Sequence, residues 1–336
     1  MNTQERPVPV VGNRHEICVL WFVASLCAGL TGCWSPEPMT GEGEFRFAVF
    51  GDGPYYLHEN GRARRVIEAL NARPLEFVIH VGDIMWQRCT DAAYRERREL
   101  IERIRHPVIY TPGDNEWSDC VDIERGVDPL DRLTSLRAVF FAIPQRSLGA
   151  QPLALESQSA DPEYAEFVEH ARWSQGRVWF VTIHAVGGAN GRRPFAGREQ
   201  RHDDEAARRM AAAVAWLHES FEVAVAADAA AIVVTMHANP LYDASGIEPA
   251  ALTPIHDALV VLATHFGKPV LVIHGDEHRY TVDRPFRDAT GAGIRNLYRL
   301  ETFGSPDIGW VDVVVDTRIE EPFRFEPNVT PPWLWW

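Results

Sequence analysis

Three aspartates, each directly preceded by glycine, recur at equal intervals of 31 residues: Gly51-Asp52, Gly82-Asp83 and Gly113-Asp114. Each follows a short apolar run, Phe45 to Phe50, Phe77 to Val81 and Val108 to Tyr110. Two later runs end in the same way. Ile232 to Met236 leads into His237-Ala238-Asn239, and Val270 to Ile273 leads into Gly275-Asp276-Glu277-His278. Carboxylates and imidazoles at these points are candidate ligands for a cation, and an oxygen-rich set favours hard ions over thiol-seeking ones. A lone Gly-Asp step is usually just a turn. It is the recurrence at the ends of apolar runs that carries the inference, because ligands of α/β sheets gather beyond the carboxyl ends of the strands. Glycine there lets the chain turn sharply and aim the next side chain into a cleft. An interval of 31 residues is about one strand plus one helix, so the three carboxylates are expected side by side. Three adjacent anions need a cation.

The elements that must hold these residues are legible as buried strands: the five runs above and Val178 to Ile183. Helix-like stretches lie between them at Arg62 to Asn71, Asp91 to Arg105, Leu130 to Phe141, Asp203 to Ala227 and Pro254 to Phe266. In the fourth of these, Met210, Val214, Leu217 and Phe221 form an apolar stripe at helical spacing, which reads as core. Phe167 to Trp173 and Val178 to Ile183 read as a hairpin around Ser174-Gln175-Gly176. The tail from Ile294 to Phe325 lacks a helical period, and Trp310 to Val315 within it is expected to complete a sheet. Alternation of this kind predicts a layered α/β fold in a single domain over 45–336.

In order, Gly-Asp, Gly-Asp, Gly-Asp-Asn-Glu, His and Gly-Asp-x-His resembles the calcineurin-like metallophosphoesterases over about residues 45 to 280. The resemblance implies a double β-sandwich flanked by helices, with one or two divalent metal ions held by strand-end loops. It implies that Asp52 binds the first metal, that Asp83 bridges, and that His278 completes the first metal's protein ligands. His237 would hold the second metal, with Asp114 where the family has Asn and Asp276 where it has His. Among Mn, Mg, Ca, Fe and Zn, so much carboxylate favours Mn or Mg. Four carboxylates against two divalent ions sum to zero. Pro54 stands where the family's first motif has His, which leaves the first metal short of a ligand. Purple acid phosphatases also lack that His and use a Tyr after their Gly-Asp, but the corresponding residue here is Trp86.

The implied activity is hydrolysis of a small phosphomonoester or phosphodiester by a metal-activated water. Asn115 occupies the place of the family's leaving-group His, and an amide cannot donate a proton as imidazolium does. His184, at the end of Val178 to Ile183, is a substitute candidate, and His274 a weaker one that reads as a core strand residue. Arg192 and Arg193 follow the glycine-rich stretch Gly187 to Gly191, and read either as an anion clamp or as a solvated loop. A non-catalytic surface binding protein on the same scaffold is the second reading.

Across 336 residues the net charge is −14, and Lys268 is the only lysine, which excludes a broad nucleic-acid-binding face. With 46% hydrophobic residues and no low-complexity tract the chain is not disordered. No Gly-x-x-x-x-Gly-Lys-Ser/Thr, Gly-x-Gly-x-x-Gly or Gly-x-Ser-x-Gly signature supports a nucleotide-binding loop or a serine hydrolase. Ile17 to Leu30 is too short an apolar run to span a bilayer comfortably, and Leu30-Thr31-Gly32-Cys33 after it resembles the bacterial lipoprotein box. That implies a signal peptide over 1–32, lipid on Cys33, a tether over 33–44, and an exported, membrane-anchored protein, periplasmic or on the cell surface. An uncleaved anchor and a buried helix are the alternatives. Cys89 and Cys120 then remain as an exported pair, read as a disulfide or as two free thiols. Pro331 to Trp336 is a conspicuously aromatic end, suited to a membrane interface, a partner or the domain itself.

Overall fold

The computed structural model describes residues 43–86, 89–122, 126–241 and 251–331. The expected leader over 1–32, Cys33, most of the expected tether and the terminal 332–336 lie outside the described residues.

The apolar runs form strands. The first sheet contains β1 (Glu44–Phe50), β2 (Val78–His80), β3 (Val108–Tyr110), and, from the tail, β11 (Gly309–Asp316) and β12 (Phe323–Val329), in the order β12-β11-β1-β2-β3. The second contains β4 (Glu156–Ser157), β5 (Ala171–Gln175), β6 (Val178–Thr182), β7 (Ala231–Thr235), β8 (Val270–His274), β9 (Thr281–Asp283) and β10 (Leu297–Glu301), in the order β4-β5-β6-β7-β8-β10-β9. β1, β2 and β3 are parallel, with Phe50, His80 and Tyr110 in register. β6, β7, β8 and β10 are parallel too. The expected hairpin is β5–β6, but its first strand starts at Ala171 and runs on to Gln175. Only Gly176 and Arg177 are left for the turn, with Gly176 at φ 55° as a tight hairpin requires.

Strand periodicity sorts the core into layers. Phe47 and Val49 of β1, Ala231 and Val233 of β7, Leu271 and Ile273 of β8 and Val311, Val313 and Val315 of β11 meet between the sheets. The alternate residues face helices. Ile232, Val234, Val270 and Val272 pack under the helices Gln200–Ala226 and Thr253–Phe266, with Met210, Leu217 and Phe221 of the expected stripe. Ala48, Val78 and Val108 pack under the helices Asn60–Asn71, Asp91–Ile101 and Pro129–Phe140. Buried on both faces, parallel strands read as unbroken apolar runs. The result is the double β-sandwich flanked by helices that the sequence led us to expect, and it turns the carboxyl ends of β1, β2, β3, β7 and β8 toward one another.

Candidate metal centre

Asp52, Asp83, Asp114, His237, Asp276 and His278 meet at those strand ends. Ligand atoms of Asp52, Asp83 and His278 lie within 4.8 Å of one another, and so do those of Asp83, Asp114 and His237. Asp83 belongs to both groups. Asp276 joins the second, its Oδ1 3.5 Å from His237 Nε2, while its backbone N–H donates to Asp52 Oδ1 at 3.0 Å.

Both histidines are oriented in the same way. His237 Nδ1 lies 2.8 Å from the carbonyl of Val81, and His278 Nδ1 lies 2.7 Å from that of Ser305. A carbonyl only accepts, so Nδ1 carries a hydrogen and Nε2 is turned to the carboxylates. His237 Nε2 stands 3.2 Å from Asp114, 3.4 Å from Asp83 and 3.5 Å from Asp276.

Burial pushes the Asp52 carboxyl up to about 8 against the opposing pull of His237, and pushes Asp83 well above its usual range, with Asp114, Glu116 and Asp52 adding to the effect. Burial works against a charged His237, but Asp83, Asp114 and Asp276 outweigh it and hold the imidazole well above its ordinary value. For Asp114 burial is likewise outweighed, by His237 and Arg193, and its carboxyl falls below the usual range. Several buried acids thus compete for one imidazole. Asp52 Oδ2 is buried and finds no hydrogen-bond donor among the described residues. The donor set and this orphaned oxygen fit a divalent cation.

The backbone is bent to achieve this. Asp52, Asp83, Asp276 and His278 have φ of 52°, 54°, 79° and 62°, in the left-handed region that costs a non-glycine residue about 1 kcal/mol or more. Glycines provide the walls. A Cβ on Gly304 would sit 2.5 Å from both Asp52 Cβ and His278 Cγ, and one on Gly187 would sit 2.5 Å from Asp276 Oδ1 and 2.7 Å from Asp114 Oδ2. Gly113 and Gly275 press on Asp83 and Asp52 in the same manner.

Other neighbours complete the surroundings, and of these Glu116 and His80 were not singled out by sequence reasoning. Glu116 is fully buried and accepts from the backbone N–H of Ile84 at 3.0 Å and from Tyr110 Oη at 2.9 Å, which ties the loop after β2 to the loop after β3. His80, held neutral by burial at about 3, accepts from the Gly82 N–H at 3.1 Å and shapes the turn into Asp83. Tyr55 Oη donates to Asp83 Oδ2 at 2.7 Å and lies 3.1 Å from His278 Nε2. Asn115 gives Asp83 two bonds, backbone N–H to Oδ1 at 3.1 Å and Nδ2 to Oδ2 at 2.5 Å. Cys89 and Cys120 form a disulfide, Cα atoms 5.9 Å apart, which links the loops after Asp83 and Asp114. Closing this 31-residue separation is worth about 3–4 kcal/mol on chain-entropy grounds.

His184 departs from expectation. Its ring is fully buried, with Nδ1 3.3 Å from Glu169 Oε1 and an edge-type contact with Trp117 at 5.5 Å between ring centroids, and its described contacts include none of the site carboxylates. Burial depresses it although Glu169 pulls the other way, so it is a core imidazole and not a proton donor to a ligand in the site. His274 is also a neutral core residue, brought by burial to about 3.

Arg192 and Arg193 follow a left-handed turn in which Gly188, Ala189, Asn190 and Gly191 all have positive φ, between 57° and 76°. Arg209, fully buried, holds that turn. It donates to the Asn190 carbonyl at 2.9 Å, to Asn190 Oδ1, to the His184 carbonyl at 3.2 Å and to Glu205 at 2.9 Å, and stacks over Trp117. Arg193 is half-exposed and pairs with Asp119 at 2.8 Å, beside Gly188 and Asp114. Burial and the Asp114 charge push Asp119 up to about 6.

No family model and no curated protein matches this chain. Among solved structures the chain is similar to TT1561 of Thermus thermophilus, at 10% identity and TM-score 0.48, over 85% of this chain and 99% of that one. A phosphatase of Mycoplasma pneumoniae aligns at 9% identity and TM-score 0.39, over 86% of this chain and 94% of that one. A single mutant of Vps29 from Entamoeba histolytica aligns at 8% identity and TM-score 0.34, over 85% of this chain and all of that one.

Proposed function

We propose that the chain is a metal-dependent hydrolase of small phosphomonoesters or phosphodiesters, with water as the nucleophile. The observation that carries this reading is Asp83 shared by two groups of carboxylate and imidazole ligands. Asp52, Asp83 and His278 would hold one ion, and Asp83, Asp114, His237 and Asp276 the other. When bound, such a pair acidifies a water and neutralises charge on the phosphoryl group. Asn115 fixes the orientation of Asp83 and supplies no proton.

Arg193, at the rim, would take a substrate oxygen in exchange for Asp119. Arg193→Ala is expected to raise KM for an aryl phosphate about tenfold while kcat stays within about twofold, in a steady-state assay. An unchanged KM assigns Arg193 to the Asp119 pair alone. Arg192 is the second candidate at this rim.

We also propose that residues 1–32 direct export and that Cys33 carries lipid, on the strength of Ile17 to Leu30 followed by Leu30-Thr31-Gly32-Cys33. The disulfide is in keeping with an oxidising compartment.

With Mn²⁺ the purified protein is expected to release phenol from an aryl phosphate or a bis-aryl phosphate, to stop in chelator and to recover when the ion is returned. One observation favours the second reading, a non-catalytic surface binding protein on the same scaffold: an amide, Asn115, stands where a proton donor is expected. That reading predicts no product from either substrate with any divalent ion.

A further inference from the structure

The trio Asp52, Asp83 and His278 would bring three protein ligands to the first ion, and the side chain of Pro54 at the place of a fourth has no donor atom. The next residue has one. Tyr55 Oη lies 2.7 Å from Asp83 Oδ2 and 3.1 Å from His278 Nε2, two of the three members of that trio. Since His278 Nδ1 is bonded to the Ser305 carbonyl, its Nε2 is an acceptor, and so is Asp83. A single phenol hydrogen therefore faces two acceptor atoms, and the phenol oxygen lies beside both.

The loop that brings Tyr55 there is clamped. The buried carboxylate of Glu59 accepts from the backbone N–H of Tyr55 at 2.7 Å, from that of Tyr56 at 3.2 Å, and from Ser305 Oγ at 2.6 Å. Arg97 donates to the Pro54 carbonyl at 3.2 Å. One acid thus fixes both Tyr55 and the Ser305 segment whose carbonyl aims His278. The Tyr55 ring is buried between Trp86 and His278, with ring centroids at 5.5 and 5.4 Å, so the oxygen has little freedom to swing away.

We propose that Tyr55 Oη is the fourth protein ligand of the first ion, in place of the imidazole that Pro54 excludes. This rests on the reading of the site as a metal centre. On coordination the phenol O–H bond breaks, the oxygen–metal bond forms, the proton passes to solvent, and no oxidation state changes. Two carboxylates, a phenolate and one imidazole make a set suited to a hard, highly charged cation.

Ferric ion is the probe, because phenolate bound to it absorbs visible light whereas carboxylate and imidazole alone give no such colour. The full-length protein loaded with ferric ion should be coloured and show tyrosinate ring modes in resonance Raman spectra excited within that band. Tyr55→Phe should hold the ion with the band and ring modes gone and with affinity reduced by roughly 10- to 100-fold. Tyr56→Phe, at an exposed ring stacked on His58, should keep the colour. A colourless ferric protein, or a band that survives in Tyr55→Phe, overturns the assignment and leaves the metal centre standing. If neither ferric ion nor Mn²⁺ binds at all, the assignment and the reading beneath it fall together.

Discussion

Asp83→Asn is expected to reduce turnover by about three orders of magnitude and to leave at most one ion per chain. Asp83 is the one residue common to both ligand groups, so no other single change withdraws a donor from each ion at once. Asparagine keeps the shape, and the Asn115 amide that now donates to Oδ2 can turn over and present its oxygen, so the loops need not move. Without ions the effect on stability has the opposite sign. Burial raises the Asp83 carboxyl well above 3.8, its value in the unfolded chain. For an acid raised in this way, the folded state binds the proton more tightly. A penalty therefore builds as pH rises past 3.8 and is complete above the folded value, and the substitution removes it at neutral pH. In chelator Asp83→Asn should melt above the parent protein, and in Mn²⁺ below it. Thermal melts under both conditions, with metal content per chain, give the answer. A variant that melts lower in both, with two ions still bound, would remove Asp83 from the centre.

Arg209→Ala should cost about 3–5 kcal/mol of stability in urea unfolding, the range for stranding one partner of a buried ion pair. Glu205 is buried, and burial alone would raise its carboxyl; the Arg209 guanidinium outweighs burial and keeps it below the usual range. Alanine leaves that charge unpaired, along with the carbonyls of Asn190 and His184. The second consequence falls on the site. The left-handed turn from Gly187 to Gly191 includes two residues, Ala189 and Asn190, that are strained by positive φ, and Arg209 is what over-determines it. Since Gly187 packs on Asp114 and Asp276, the variant should also lose affinity for the second ion. The double change Arg209→Ala with Glu205→Ala should recover part of the stability, because the stranded acid is gone. A loss below about 1 kcal/mol would show that the network is dispensable.

Much of this was legible in the chain. The strands that carry ligands are buried on both faces, so their apolar runs stand out, and one strand-helix unit per 31 residues set Asp52, Asp83 and Asp114 side by side. What was not legible depends on direction or on remote partners. Tyr55 and His278 are 223 positions apart, and nothing local says that Glu59 will pull the Tyr55 loop over them. His184 follows an apolar strand much as the ligands do. Its ring turns toward Glu169, itself bonded to Arg137 at 2.5 Å, a pairing that spans 32 residues and carries no signature. The β5–β6 turn proved shorter than its polar residues suggested, because Ser174 and Gln175 continue the strand pairing.

The bare backbone positions around the centre have a consequence for how such a chain can diverge. A donor atom can be exchanged for another that reaches the same point, as the phenol oxygen proposed above beside Pro54 would be. A methyl group at position 187, 275 or 304 has nowhere to go but into the side chains of Asp52, Asp114, Asp276 or His278. Over long descent the chemistry of the lining is therefore freer to drift than the empty corners that shape it, and kinship would survive longest in the spacing of its smallest residues.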